Sequence, residues 1–427
     1  LLYAATIAKD IADNISGIDE AMRWGFNWEM GPFELWDALG VKVIADRVVA
    51  EGGKLPPLVE EVLATGNGRF YQKSESGQVS YFEAGQYLQK AVNPYAFSFK
   101  QAHKQGKEIF GNAGASLMDL GDGVACLEFH SPNNSIGADI VTMVQKSLVE
   151  VEKNYLGMVI GNQGKNFCVG ANLMLILLEA EEENWDEIDL MIRALQNEMM
   201  AIKYAKKPVV AAPFGMTLGG GAEICLHSHA IQASSELYMG LVELGVGLIP
   251  GGGGTKEMAV RAMEGVLPGI QVSPDYFFAK RFEAVAMAQV SNSAEKARQL
   301  GFLRNYDRYS MNPDHVILDA KARVIDLARN FRPNLPTKVK VGGPGVRATL
   351  ELALHGMREG NYISEYDQHL GNKLAFAMSG GDRPAGMLVE EQYLLDLERE
   401  AFMSLVGEPK TQDRIRHMLA KGKPLRN

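Results

Sequence analysis

The 427 residues are 46% hydrophobic and 22% charged, a balance that fits a soluble globular protein of two or three domains. A formal net charge of −9 argues against nucleic acid or an anionic membrane as a general partner, although a phosphate-bearing ligand could still meet a local cluster such as Lys206-Lys207. Cys126, Cys168 and Cys225 are widely spaced and lack a CxxC pattern, no apolar run reaches the roughly 18 residues of a membrane span, and a reducing cytoplasmic setting fits best.

The chain opens at Leu1 without a methionine, inside what reads as a helix, which suggests a piece of a longer protein. Residues 1 to 40 alternate apolar and polar at helical spacing, broken by Gly17, Gly25 and Gly31-Pro32, and predict short packed helices. Residues 18–40 (IDEAMRWGFNWEMGPFELWDALG), with MGPFEL at 30–35, and GNGRFY at 66–71 resemble the C-terminal helical domain of 3-hydroxyacyl-CoA dehydrogenases. That resemblance implies a nicotinamide-binding domain ahead of this segment, with a GxGxxG turn and catalytic His and Glu, and these residues do not supply it. The chain itself is therefore expected to use no cofactor, and NAD only as part of a full-length parent. From 73 to 114 the sequence is polar and glycine-dotted, and Asn93-Pro94 breaks it; the reading is a helical domain over 1–92 and a linker over 93–114.

Residues 115–129 (ASLMDLGDGVACLEF) predict two strands around Gly121-Asp122-Gly123, and SPNNSI at 131–136 predicts a loop before a helix. Residues 157–162 (GMVIGN) read as a buried strand leading to NFCVGANL at 166–173. The MLILL run at 174–178 reads as core, and the acidic run 179–183 as a solvated helix end. Ile188, Ile192, Leu195 and Met199 lie at helical spacing and mark a core-facing helix over 185–200.

Next come a buried strand (PVVAA, 208–212), the lead-in 214–218, and Gly219-Gly220-Gly221 opening a helix near Gly220. The free N–H groups and positive dipole end of its first turn could hold an anion, and Glu223 lies on the same face as the Gly220 N–H. Glu243 precedes an apolar run ending at Pro250, after which residues 251–254, all glycine, open a helix over 255–263. Two carboxylates on separate elements could then converge on one small molecule. Spacing alone leaves open a pair of glycine turns with Glu223 and Glu243 as surface residues.

Residues 251–256 miss a P-loop, because Thr255 precedes Lys256, and Gly245, Gly247 and Pro250 miss GxGxxG at the last position. His227, four residues after Glu223, lacks a third ligand, so no metal is expected. VSNSAEKARQLGFL at 290–303 reads as scaffold. From 331 onward Leu350, Leu354, Met357 and then Leu388, Tyr393, Leu397 predict a helical extension without chemistry of its own.

Residues 208–223 and 243–255 (ELGVGLIPGGGGT) resemble the paired active-site segments of the enoyl-CoA hydratase (crotonase) family, and NFCVGANL its first oxyanion loop. The resemblance implies an α/β chain: a crotonase-like ββα superhelix core over 115–330, an N-terminal all-α dehydrogenase-type domain, and a helical extension over 331–427. It further implies Glu223 and Glu243 as catalytic carboxylates and the N–H groups of Val169 and Gly220 as oxyanion hole. Asn134, Ala171, Asn172, Leu173, Gly219, Val242 and Gly251 become the substrate-binding positions. Val169 stands where the family usually has alanine, and Asn172 where it has aspartate. The implied activity is hydration of trans-2-enoyl-CoA in fatty acid β-oxidation, with acyl-CoA as substrate, the missing nicotinamide-binding domain as partner and thiolase as a further one. A Δ3,Δ2-enoyl-CoA isomerase and a non-catalytic acyl-CoA-binding scaffold are the alternatives.

Overall fold

A computed structural model describes residues 1–74, 77–91, 93–264 and 273–427. They fall into two compact units, Leu1–Pro94 and Tyr95–Asn427. The first begins with five helices: α1 (Leu2–Ile11), α2 (Ile15–Phe26), α3 (Pro32–Leu39), α4 (Val41–Ala50) and α5 (Pro57–Thr65). Phe33, Trp36, Phe70 and Phe82 fill its centre. The MGPFEL stretch starts α3 by a specific device. Pro32 occupies the first helical turn, and the Glu34 carboxylate accepts the Gly31 N–H. The buried Asp19 carboxylate accepts the N–H groups of Phe33 (2.9 Å) and Glu34 (3.1 Å) and the Tyr71 hydroxyl (2.7 Å). Gly31 is needed for that approach, since a Cβ there would lie 2.3 Å from the Asp19 Cα.

The all-helical expectation for this unit is corrected at its C-terminal end. β1 (Tyr71–Lys73), β2 (Val79–Glu83) and β3 (Gln86–Gln89) form an antiparallel sheet. Val92, the expected end of the domain, lies outside the described residues.

The expected linker over 93–114 is also corrected, because most of it belongs to the second unit. It contains α6 (Phe99–Lys104) and β4 (Glu108–Gly111), and β4 pairs antiparallel with β5 (Ala115–Asp119). Then follow β6 (Val124–Phe129), α7 (Ala138–Asn154), β7 (Gly157–Gly161), α8 (Leu173–Glu181), α9 (Trp185–Lys203), β8 (Val209–Ala211), β9 (Gly215–Leu218) and α10 (Gly220–His227). After these come β10 (Ala230–Ser234), β11 (Leu237–Gly240), α11 (Gly254–Glu264), α12 (Asp275–Ala286), α13 (Ala294–Leu300), β12 (Arg308–Ser310) and α14 (Val316–Ala328). The unit closes with β13 (Val339–Lys340), α15 (Gly343–Glu359), α16 (Glu365–Ser379), β14 (Leu388–Val389), α17 (Glu391–Val406) and α18 (Pro409–Lys421).

The main sheet runs β12-β10-β8-β7-β6-β5-β4, parallel from β12 to β6 and antiparallel beyond. Fully buried, non-alternating strands such as Gly157–Gly161 suit its parallel part, which helices cover. A separate parallel pair, β9 with β11, sets Leu218 opposite Gly240. The segment after 330 forms part of the same unit: α17 packs on α9, α11 and α16.

Candidate active site

The β9–β11 register builds the site. With Leu218 beside Gly240, the chain leaves both strands at the same level, one into α10 and the other toward Glu243. Gly219 makes the turn with φ +52°, and its N–H donates to the Gly240 carbonyl (2.9 Å). A Cβ at Gly219 would lie 3.0 Å from Glu243 Oε1, so the Glu243 carboxylate rests on this turn.

The 166–172 loop lies against the start of α10. Cys168 N–H donates to Met216 O and Leu218 N–H to Cys168 O, extending the β9 ladder by one bridge. A Cβ on Gly221 would sit 2.7 Å from Cys168 O, and one on Gly170 would sit 3.6 Å from the Gly220 nitrogen. The two backbones therefore touch where Val169 and Gly220 sit. Neither the Val169 nor the Gly220 N–H has a hydrogen-bond partner among the described residues. Two unspent donors at a helix N-terminus are what an oxyanion requires.

Glu223, on the first turn of α10, is 2% exposed. Its Oε1 accepts the N–H groups of Gly252 and Gly254, both at 2.8 Å. Burial pushes its carboxyl up to about 7, against the lowering effect of those donors and of Lys256. Glu243 has a buried Oε2 with no hydrogen-bond partner among the described residues. Burial, and then the charge of Glu223, hold its carboxyl well above the usual range. One carboxyl group thus seats an oxygen on two backbone donors while its neighbour keeps a buried oxygen without a partner among the described residues, which separates their proton affinities.

The other predicted positions divide. Val169, Ala171 and Gly219 to Gly220 come together, and Ile136 N–H donates to Gly170 O to hold the loop. Val242 directly precedes Glu243, and Leu173 begins α8. Asn172 is the exposed N-cap of α8, accepting the Leu175 N–H. Asn134 is buried and donates to Asn166 O, tying the 131–136 loop to the oxyanion loop. Gly251 is turned into the core, where a Cβ would meet Phe402 at 3.0 Å.

The reading of the C-terminal helices as devoid of site chemistry is corrected. Glu398 of α17, fully buried, accepts the N–H groups of Gly253 and Lys256 (2.5 and 3.0 Å) directly beside Glu223. A sequence signal existed: Glu391 and Glu398 lie seven residues apart on the apolar face of α17, among Leu394, Leu395 and Phe402.

His227 is buried and bound within the fold. Its Nδ1–H donates to Glu223 O (2.7 Å), which leaves Nε2 to accept from Lys256 Nζ (2.9 Å). Lys256 also meets Glu257 (2.6 Å) and Glu391 (3.0 Å), and Lys203 bridges the same two glutamates. A cavity of about 580 Å³ opens beside this cluster, lined by Lys203, Tyr204, His227, Glu257 and Arg304, and neither Glu223 nor Glu243 borders it. The acidic run over 179–183 meets Arg416 of α18, which pairs with Glu181.

Residues 119–265 match the family model described as Enoyl-CoA hydratase/isomerase. The second unit carries a crotonase domain. Across its whole length the chain is 51% identical to the "Probable 3-hydroxyacyl-CoA dehydrogenase" of Bacillus subtilis (strain 168), covering 54% of that protein. It is 27% identical over 97% of its length to a Rickettsia felis protein provisionally named a fatty acid oxidation complex trifunctional enzyme, covering 51% of it. The chain thus spans about half the length of these curated relatives. Among solved structures, an enoyl-CoA hydratase/isomerase from Mycobacterium paratuberculosis aligns with 72% of this chain and 98% of its own, at 16% identity and a TM-score of 0.47. No helix among the described residues is long and apolar enough to cross a membrane.

Proposed function

We propose that the crotonase domain adds water to a trans-2-enoyl-CoA thioester, giving the 3-hydroxyacyl-CoA. The observation that carries this reading is the contrast between two adjacent carboxyl groups, Glu223 seated on two backbone N–H groups and Glu243 with an unpartnered buried oxygen. Hydration needs both states at once: a carboxylate to take a proton from water, and a carboxylic acid to give one.

In this reading Glu223 is the base. Its Oε1 is occupied by Gly252 and Gly254, so Oε2 takes the water proton as the oxygen attacks C3. The C2–C3 π electrons move to C2 and onto the thioester oxygen, whose growing charge is met by the Val169 and Gly220 N–H groups. Glu243 then delivers its proton to C2. One O–H bond and one C=C π bond break, and C–O and C–H bonds form. Glu223 ends protonated and Glu243 ionised, and a proton passing between them restores the start. Val169 supplies its N–H as well as alanine would.

An isomerase moving a double bond from C3 to C2 needs only one carboxylate, and a scaffold needs neither; the paired environments of Glu223 and Glu243 support hydration over both. For the longer protein we propose NAD-dependent oxidation of the product in the β-oxidation of fatty acids, with thiolase as a downstream partner in the cytoplasm. In this reading NAD belongs to a nicotinamide-binding domain of that longer protein. The test follows the conjugated-thioester absorbance of crotonyl-CoA with wild type, Glu223→Gln and Glu243→Gln. Loss of signal with wild type alone supports hydration. Turnover of a 3-enoyl-CoA without hydration favours the isomerase, and tight binding without either reaction favours the scaffold.

A further inference from the structure

The helix α11 begins with an unusual division of donors. In a capping box, one short side chain takes the N–H of the third helical residue, and that residue's side chain takes the N–H of the cap. Here the cap is Gly253 and the third residue is Lys256, and a single carboxylate from another helix takes both: Glu398 Oε1 accepts from Gly253 and Oε2 from Lys256. The N–H groups in between and before, on Gly254 and Gly252, go to Glu223. Four backbone donors at the positive end of α11, those of Gly252, Gly253, Gly254 and Lys256, are therefore spent on two buried carboxyl groups far apart in sequence.

The turn depends on these acceptors for its shape. Gly253 has φ +98°, and a Cβ there would lie 2.8 Å from the His227 ring. Its neighbours are glycines, so the chain supplies no side-chain cap of its own. The link to α17 is doubled by Gln196 of α9, whose Nε2 donates to both Gly251 O (2.9 Å) and Leu395 O (3.2 Å).

We propose that Glu398 is a positioning residue of the active site, capping α11 from the C-terminal helical block and thereby seating the glycine turn that holds the Glu223 carboxylate. The proposal rests on the hydratase reading for its kinetic consequence and on these hydrogen bonds for its geometry. It makes α17 part of the catalytic apparatus rather than an accessory. It also has an electrostatic side. The titratable groups that act on Glu398 are Glu223 from α10 and Lys256 from α11, and Glu398 in turn acts on Glu243. Among the described residues α16 and α18 give it no hydrogen bond. Burial, and then the charge of Glu223, raise the Glu398 carboxyl to about 8, so it ionises above neutrality, and there its charge opposes the ionisation of Glu243.

The test compares wild type with Glu398→Gln, which keeps the shape but cannot ionise, and Glu398→Ala, which removes the cap. For Glu398→Ala the expected result is a fall in kcat of about 10- to 100-fold with KM changed less than about threefold, as for a misplaced base. Glu398→Gln should recover most of that kcat near neutrality. Its alkaline limb of kcat/KM should move to lower pH, because Glu243 loses a neighbouring group that is an anion in that range. Equal kcat and superimposable pH profiles for all three proteins would overturn the proposal, even if both variants were less stable. If the wild type does not hydrate crotonyl-CoA, the hydratase reading fails first. The positioning claim is then read by infrared titration of the protonated-carboxyl band assigned with Glu243→Gln. That band should titrate at lower pH in Glu398→Gln than in wild type, and an unmoved band would refute it.

Discussion

Two glycine clusters open helices in this protein, and the structure uses them oppositely. At residues 219–221 the helix end is left open: the Gly220 N–H, with that of Val169 beside it, has no internal partner among the described residues. At residues 251–254 the end is filled, with Glu223 and Glu398 taking the donors. The same motif and the same dipole thus make a receptor for transient charge in one place and a seat for permanent carboxyl groups in the other. What differs is whether a carboxylate from elsewhere in the chain can reach the end. The open end is fronted by backbone at Gly170, and the filled one by side chains of α10 and α17.

The contrast is broken most severely by removing the charge it organises. Glu223→Gln and Glu243→Gln should each lower kcat for hydration by about 10²–10⁴, measured by absorbance with crotonyl-CoA. Filling the occupied end should cost less. In Gly254→Ala the new Cβ would lie 2.8 Å from Glu223 Oε1 and 2.9 Å from Pro250, so the carboxylate must leave its seat, and kcat should fall by about 10² with the fold retained by circular dichroism.

Stability should respond to pH through Glu223 in the opposite sense to activity. Its folded carboxyl is raised from 4.5 to about 7 by burial, so the folded state binds the proton more tightly than the unfolded one. That contribution is present in full below pH 4.5 and is lost as pH rises through about 7, an amount of order 3 kcal/mol. Glu223→Gln should therefore be more stable than wild type above pH 7 and nearly equal to it at pH 5, as read by urea denaturation, while being inactive at both.

The smallest effect is expected in the first unit. Asp19→Ala removes the acceptor for two N–H groups of α3 and the Tyr71 hydroxyl, and should destabilise that unit by about 2 kcal/mol in chemical denaturation. Hydration by the second unit should be unchanged.

Much of the second unit was legible because its signals are local. The β5–β6 hairpin was visible in Gly121-Asp122-Gly123, and all three residues do have positive φ. The helix starts at Gly220 and Gly254 were visible to within a residue, because glycine clusters followed by periodic apolar residues have few other readings. The β2–β3 hairpin was missed for the corresponding reason. Its turn is Ala84-Gly85, with both residues at positive φ, and an alanine in the first position conceals a turn that asparagine would announce. Strands of three to five residues, only partly buried, add little periodicity.

In the site, the proximity of Glu223 and Glu243 was implied by family resemblance, but their inequality was not. It depends on which backbone donors reach which oxygen, and those donors lie 29 and 31 residues from Glu223. Glu398 was further out of reach, since its partners are 142 and 145 residues away. Its trace in the sequence is a charged residue on the apolar face of a helix, which is a reason to ask what pairs with it.

The most direct test of the account is the pH dependence of kcat/KM for crotonyl-CoA hydration by the wild-type chain. A charged Glu223 beside a protonated Glu243 predicts a bell, with an acid limb near pH 7 where Glu223 gains its proton and an alkaline limb well above it where Glu243 loses its own. An acid limb at pH 4 to 5, the range of an ordinary exposed carboxylate, or a profile unaltered in Glu223→Gln, would contradict the division of labour between the two glutamates.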